Sequence, residues 1–393
     1  MGLPCGPRWV RLPFPSATFP CRHPLNEPVS RRNFLRAAIS RVAEAVSNIA
    51  PPTAGPWQDG KVWRFFEITI RVELPPVGSC TRLWVPMPLP VDTDYFRSEG
   101  RNWTANTHRK SARMDREQGV DMLYAEWNEK GAVPVVDIAF RVALRDRAVD
   151  FSQGRTGESL SDFDRSLYTR ATKLLPVDGI VREKALAVIG DAETEVARAR
   201  AIYDWIIANG YRDAEAVGCG RGDICALLQG GALAGRCADT NGLFVGMMRS
   251  LGIPAREVFG LRVAPCQWGY QSLGIPAGGV GNATYGQHCR AEFYAESQGW
   301  VPVDPADVLK VALDEPPGKL APTHPKVELA HERLFGAWEM NWLPFNYAHD
   351  LVLPGSDGLM LGHFMYPVAE IDGRAIDSLV PEQFSYTISS RIL

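Results

Sequence analysis

Hydrophobic residues change their spacing near residue 180, and that change divides the chain into two kinds of structure. Phe66, Ile68, Ile70, Val72 and Leu74 alternate with Phe65, Glu67, Thr69, Arg71 and Glu73. Val136, Ile138, Phe140, Val142 and Leu144 repeat the pattern. A period of two lines one face of a strand, so both stretches are half-buried strands. Between them, Leu83 to Pro88 is strand-like but carries Pro86 and Pro88, which sheets tolerate near an edge. Residues 57–150 are therefore expected to form a small antiparallel β domain, a sandwich. Downstream the spacing becomes three and four. Val181, Ala185, Val188 and Ile189 mark one helix, and Val196, Ala199, Ile202, Tyr203, Ile206 and Ile207 a second, with Gly190 and Gly210 as stops.

A mixed segment follows over 151–310. A loop with Gly and Cys residues runs from Val217 to Asp223, and a short helix is expected around Cys225–Leu228. Cys237 opens an apolar helix that Gly252 and Pro254 end. Glu257–Val263 is expected as a strand, and a glycine-rich loop occupies 265–285. His288–Tyr294 and Trp300–Asp304 then form a hairpin. Residues 311–393 are Pro-rich and irregular in pattern, with an aromatic cluster at Trp338, Trp342, Phe345 and Tyr347. They are expected to be an extension packed on the core.

The 393 residues carry a net charge of −3, but the first fifty hold seven Arg against Glu27 and Glu44. The body is accordingly acidic, which argues against a nucleic-acid partner. No run of about 18 apolar residues exists, so no membrane span is expected. Residues 1–56 lack periodicity and are expected to be disordered up to a Pro- and Gly-containing linker at 51–56. Within them, Arg31-Arg32-Asn33-Phe34-Leu35 resembles a twin-arginine export motif, although Arg41 and Glu44 interrupt the apolar stretch that should follow. An exported, periplasmic location is one expectation. An amphipathic amino-terminal helix on a cytoplasmic protein is the other.

Eight cysteines show no CxxC pair and no zinc-ligand spacing, so neither a disulfide framework nor a metal site is expected. Cys219 and Cys225 are either bridged or plain buried thiols, the latter favoured. Cys237 differs from the others because a Gly-containing turn, Gly235-Arg236, leads it into a helix. Backbone N–H groups and the helix dipole there favour a thiolate and can receive an oxyanion. If the hairpin turns at Ser297, Asp304 lies opposite Arg290 and diagonal to His288, within reach of the imidazole. A carboxylate on one ring nitrogen leaves the other for a thiol. Cys289, adjacent to His288 on a strand, is expected to face away. Asp239 is expected to stabilise the helix start.

A Cys at a helix start, a His on a strand and an Asp at the end of the next strand resemble the transglutaminase-like superfamily. The matching stretches are Gly235–Arg256, His288–Tyr294 and Gly299–Asp304, with weaker similarity over 57–393 at Asp178–Val181, Ala201–Trp205 and Leu343–Asp350. The resemblance implies an α+β fold with a papain/transglutaminase-like core, a helix-borne Cys packed on an antiparallel sheet, preceded by the β-sandwich-like domain. It implies Cys237 as nucleophile, His288 as base and Asp304 as orienter, without cofactor. The implied chemistry is acyl transfer from a peptide or protein amide through a thioester, ending in hydrolysis or, with an amine acceptor, transamidation. Tyr211, Gln229 and the Cys237 backbone N–H are candidate oxyanion donors, the last preferred. A scaffold protein that has lost catalysis is the alternative.

Overall fold

The alternating residues bury the face their spacing demands: Phe66, Ile68, Ile70 and Val72 are buried along one strand, with Glu67 and Arg71 among its polar residues facing out. The computed structural model describes residues 62–154, 159–275, 280–356 and 358–393. The twin-arginine motif, the expected disordered segment and the linker, with all of residues 1–61, lie outside the described residues.

In chain order the principal elements begin with β1 (Arg64–Glu73), β2 (Thr81–Met87), β3 (Phe96–Ala105), β4 (Arg109–Asp115), β5 (Val120–Trp127) and β6 (Val135–Leu144). Helices α1 (Asp162–Thr169), α2 (Gly179–Ile189), α3 (Glu195–Asn209), α4 (Ile224–Gln229) and α5 (Cys237–Ser250) follow. Then come β7 (Ala255–Arg262), β8 (Gln287–Ala295), β9 (Gly299–Val303), α6 (Pro305–Asp314) and α7 (Pro325–Arg333). The last are β10 (Trp342–Asn346), β11 (Val368–Ile371), β12 (Arg374–Ile376) and β13 (Ser385–Ile392).

Two five-stranded sheets make the amino-terminal half, one ordered Gly281–Asn282, β13, β1, β6, β3 and the other β12, β11, β2, β5, β4. A four-stranded antiparallel sheet, β9-β8-β7-β10, carries the helices. The carboxy-terminal residues depart from expectation. The segment up to β10 packs on the core, where β10 pairs with β7, but the last strands complete the sandwich instead. β13 runs antiparallel along β1 from Phe66↔Ile392 to Glu73↔Ser385. β11 pairs with β2 in the other sheet. Each addition covers strand edge that would otherwise be open. Tyr386, Ile388 and Ser390 are buried between more exposed neighbours, but a strand this short gives too few repeats to stand out from a Pro-rich background.

One apolar core joins the two halves. It starts with Phe66, Leu83 and Phe140 between the sandwich sheets and continues into Cys219, Cys237, Phe259, Cys289 and Trp342. A second core lies under the helices, with Leu243, Phe244 and Met247 of α5 against Phe293 and Val301. Every residue of α5 is buried, which suits a helix enclosed by other elements. Among the described residues no helix is long and apolar enough to cross a membrane.

Gly260 on β7 lies opposite His288 on β8, where a side chain has no room. A Cβ there would fall 2.2 Å from the Leu343 carbonyl oxygen and 2.5 Å from the Trp342 ring. Gly260→Ala is expected to destabilise the protein by about 1–3 kcal/mol, since backbone cannot yield as a flexible side chain does. An unchanged urea midpoint would reject this account of the close approach.

Candidate active site

Cys237 is the first residue of α5, and the preceding loop is tied to that helix start by one carboxylate. Asp239 accepts the backbone N–H groups of Arg236 at 2.9 Å, Arg221 at 2.9 Å and Gly222 at 2.8 Å. This places Asp239 as a helix-start residue, as its position implied. His288 lies near the start of β8, where the Trp342 indole donates to its carbonyl at 2.9 Å. The β8–β9 ladder pairs Ala295 with Gly299 and Ala291 with Val303, centred on Ser297. The next position brings Asp304 opposite Arg290, and there Asp304 caps α6 by accepting the Asp307 N–H at 3.1 Å.

His288 Nε2 and Asp304 Oδ2 are 2.8 Å apart. That bond occupies one ring nitrogen and leaves the other for a second partner. Cys237, on the helix packed against β8, is near enough to the imidazole to feel its charge, so the structure brings Cys237, His288 and Asp304 together, all buried. Of the other candidate donors, Tyr211 is exposed on a short strand and Gln229 ends α4.

The charges fall on opposite sides of the sulfur–imidazole contact. Hydrogen bonds from Cys219 and then Cys289, with the bond and charge of His288, hold the Cys237 thiol well below the ordinary range despite burial. Burial acts to lower the His288 pKa, but the negative charges of Asp307 and Asp304 raise it overall. Burial, then the neighbouring Asp307, raises Asp304. Burial acts to raise Asp307, but the positive charges of Arg262, His288, Arg290 and Lys310 together hold it far below its usual value. A thiolate–imidazolium pair is the state these shifts favour.

Several residues at this site carried no signal in the chain. Asn241, one turn beyond Cys237, donates to Asp304 Oδ1 at 3.2 Å and to the Cys289 carbonyl at 2.8 Å, coupling the nucleophile's helix to the carboxylate. Asp307 Oδ1 stands 3.4 Å from His288 Nε2 and 2.5 Å from Arg262 Nη2. Arg290 lies 3.5 Å from Asp304, against the Trp338 and Trp342 rings. His288, Asp304 and Asp307 offer ligand atoms within 4.8 Å of one another, the spacing of a metal set. A cation entering there would meet the positive charges of Arg262 and Arg290. The only spacing signal was the i,i+4 relation of Cys237 and Asn241 on one helix face.

Cys289 does not face away from the nucleophile. Its buried thiol shares a core cluster with Cys237 and lies near enough to Cys237 and Glu257 for the three to shift one another's protons. Strand alternation sets Cβ directions but not the position of a third element, and the start of α5 meets both His288 and Cys289. Cys219, Cys225 and Cys289 are free thiols. His349 and His363, distant in sequence from these groups, both pack beside Phe259. Burial lowers the pKa of both, and His363 is close enough to feel the Cys237 charge.

Glu257, 3.4 Å from His349, is pushed by burial up to about 8. Its ordinary value is near 4.5, so the folded protein holds a proton across that window that the unfolded chain releases. Stability from this group is full below the unfolded value and is lost as pH rises towards and through about 8. At about 1.4 kcal/mol per unit, the loss reaches roughly 5 kcal/mol. Glu257→Gln is therefore expected to gain stability relative to wild type as pH rises from 5 to 8.5. Urea midpoints at both pH values check this, and an equal slope in the two proteins would remove Glu257 as the cause.

A thiol at the start of a central helix, packed on an antiparallel sheet that supplies an imidazole and a carboxylate, is the framework of a thiol-dependent enzyme family. The chain belongs to the transglutaminase-like superfamily, whose core matches residues 182–305. An uncharacterised protein of Haemophilus influenzae is 33% identical over 329 residues, covering 80% of this chain and 86% of its own. A solved structure from Cytophaga hutchinsonii, described as a candidate cysteine protease, shares the fold with a TM-score of 0.53 and 14% identity. That likeness spans 84% of this chain and 91% of the other.

Proposed function

We propose that this protein is a thiol acyl-transfer enzyme acting on peptide or protein amides, with Cys237 as nucleophile, His288 as base and acid, and Asp304 as orienter. The observation that carries the reading is the buried Cys237 at the start of α5 beside an imidazole whose Nε2 is 2.8 Å from Asp304 Oδ2; the opposed shifts of Cys237 and His288 agree with it. The thiolate attacks the amide carbonyl carbon, forming a C–S bond while the carbonyl electron pair moves to oxygen. Collapse breaks the C–N bond, His288 gives its proton to the leaving amine, and a thioester remains. Water, deprotonated by His288, attacks the thioester and regenerates the thiol; an amine in its place yields a new amide. Hydrolysis is preferred because it requires no second binding site. The Cys237 N–H, at the start of α5, is the proposed oxyanion donor, since the adjacent Ala238 N–H is already bonded to the Cys219 carbonyl at 2.9 Å.

Incubating the protein with peptide amides, with and without a primary amine, tests this. The expected product mass is that of the free acid in both mixtures. A mass matching the amine adduct would make the enzyme a transamidase. No product in either mixture would favour a binding protein on the same core.

A further inference from the structure

Cys237 has two thiol neighbours, Cys219 and Cys289, and they are held in different ways. Cys289 is part of the regular β8 ladder opposite Phe259, its carbonyl fixed by Asn241. Cys219 lies outside any strand or helix, between Gly218 and Gly220, both in the left-handed region with φ of 60° and 92°. Such turns allow local movement without breaking a ladder. Its sulfur accepts the Tyr366 hydroxyl at 3.1 Å and donates to the Gln287 carbonyl, next to His288, at 3.3 Å. Cys237 Sγ is 3.8 Å from the Cys219 carbonyl oxygen, and the two buried thiols share one core cluster, near enough for each to shift the other's proton. The Ala238 N–H bonded to the Cys219 carbonyl at 2.9 Å holds the two cysteine backbones side by side, and the turn leaves the Cys219 side chain free to swing towards Cys237 for a disulfide.

We propose that Cys219 is a resolving thiol for Cys237, so that a hydroperoxide converts the pair to a reversible Cys219–Cys237 disulfide. The inference rests on the reading of Cys237 as an activated thiolate. The oxidant is hydrogen peroxide: in the first step the thiolate attacks it, an S–O bond forms and the O–O bond breaks. The departing hydroxide takes the His288 proton and leaves as water, giving a sulfenic acid. The Cys219 sulfur then attacks that sulfur, an S–S bond forms and the S–O bond breaks. The second hydroxide leaves as water with the Cys219 proton. Two thiols are oxidised and one peroxide is reduced to two waters. The disulfide holds Cys237 as a form that cannot attack a carbonyl and shields it from the irreversible sulfinic acid.

The division of roles agrees with the local chemistry. Cys237 is the sulfur held low and hence the first to meet peroxide. Cys219 is pushed well up by its bond to Cys237 and by burial, so it waits as a neutral thiol. Reduction by a small dithiol returns both.

The full chain would first be treated with a small thiol-reactive reagent, then separately with hydrogen peroxide, and each sample mapped by peptide mass. Expected are fast labelling of Cys237 in the reduced protein and, after peroxide, a Cys219–Cys237 linked peptide that dithiothreitol abolishes. Cys219→Ser should lose that recovery, with Cys237 carried to sulfinic acid, while Cys289→Ser should keep the link. Slow labelling of Cys237, no faster than the other thiols, would overturn both this inference and the activated-thiolate reading beneath it. Fast labelling with a Cys237–Cys289 link, or with sulfinic acid alone in the wild type, would overturn this inference and leave that reading standing.

Discussion

Cys237→Ala is expected to abolish turnover of a peptide amide, lowering kcat by about 10⁴-fold or more, with the fold retained. No neighbouring sulfur is placed to take over, because Cys219 lies in a turn and Cys289 within a strand, neither at the helix start that favours a thiolate at Cys237. His288→Ala should cost a similar factor, because it removes the proton donor for the leaving amine together with the cation beside the sulfur. Its second effect is on the sulfur itself. In the wild type the thiolate forms well below the ordinary thiol range, so alkylation of Cys237 should already be near its plateau at neutral pH. Without His288 the rise in alkylation rate shifts to higher pH, though only in part, since the Cys219 and Cys289 bonds remain. Measured kcat/KM and an alkylation-rate profile between pH 5 and 9 check both. Undiminished turnover in Cys237→Ala would end the assignment of the nucleophile.

Arg262→Met should be the most destabilising change near the site, by about 3–5 kcal/mol, because it leaves Asp307 buried without its guanidinium. Both side chains are almost wholly enclosed, with exposures of 6% and 1%, so solvent screens the pair little. The same guanidinium also donates to the Leu273 carbonyl at 2.6 Å, tying the loop after β7 to the sheet. The sign with pH follows from Asp307, whose pKa is depressed in the folded protein. Its stabilising contribution is present above the unfolded carboxylate value and is lost as pH falls through the folded value. The penalty of Arg262→Met should therefore be greater at pH 7 than at acid pH, where the orphaned carboxyl takes a proton. Adding Asp307→Leu should recover much of the loss, since a buried pair replaced as a unit leaves no stranded charge. Urea midpoints for the single and double variants at pH 4 and 7 decide this. Equal destabilisation with and without Asp307 would place the cause in the Leu273 bond.

Much of the scaffold was legible because it repeats. The strands β1 and β6 follow from alternation, and α2 and α3 from three- and four-residue spacing. The hairpin register that sets Asp304 opposite Arg290 followed from one turn centre. Strands β3 and β4 were not legible, because their largely exposed residues show no apolar alternation. The closing strands β11 to β13 were not either, since each carries few apolar repeats and the partners of β11 and β13, in β2 and β1, lie hundreds of residues away.

At the site, the sequence by itself supplied the groups proposed as reactive: a thiol at a helix start and an imidazole and a carboxylate on paired strands, each a local relation among neighbouring residues. What surrounds them was decided only by the tertiary structure. Asp307 and Arg262 set the imidazole, Cys219 and Cys289 set the thiol, and His349 and His363 come from the carboxy-terminal segment. The physical reason is that burial and charge act through space in a medium of low dielectric, so groups far apart in the chain shift one another's protons once folding brings them within a few ångströms. Periodicity records which face of an element is buried. It holds no record of which charges that burial assembles.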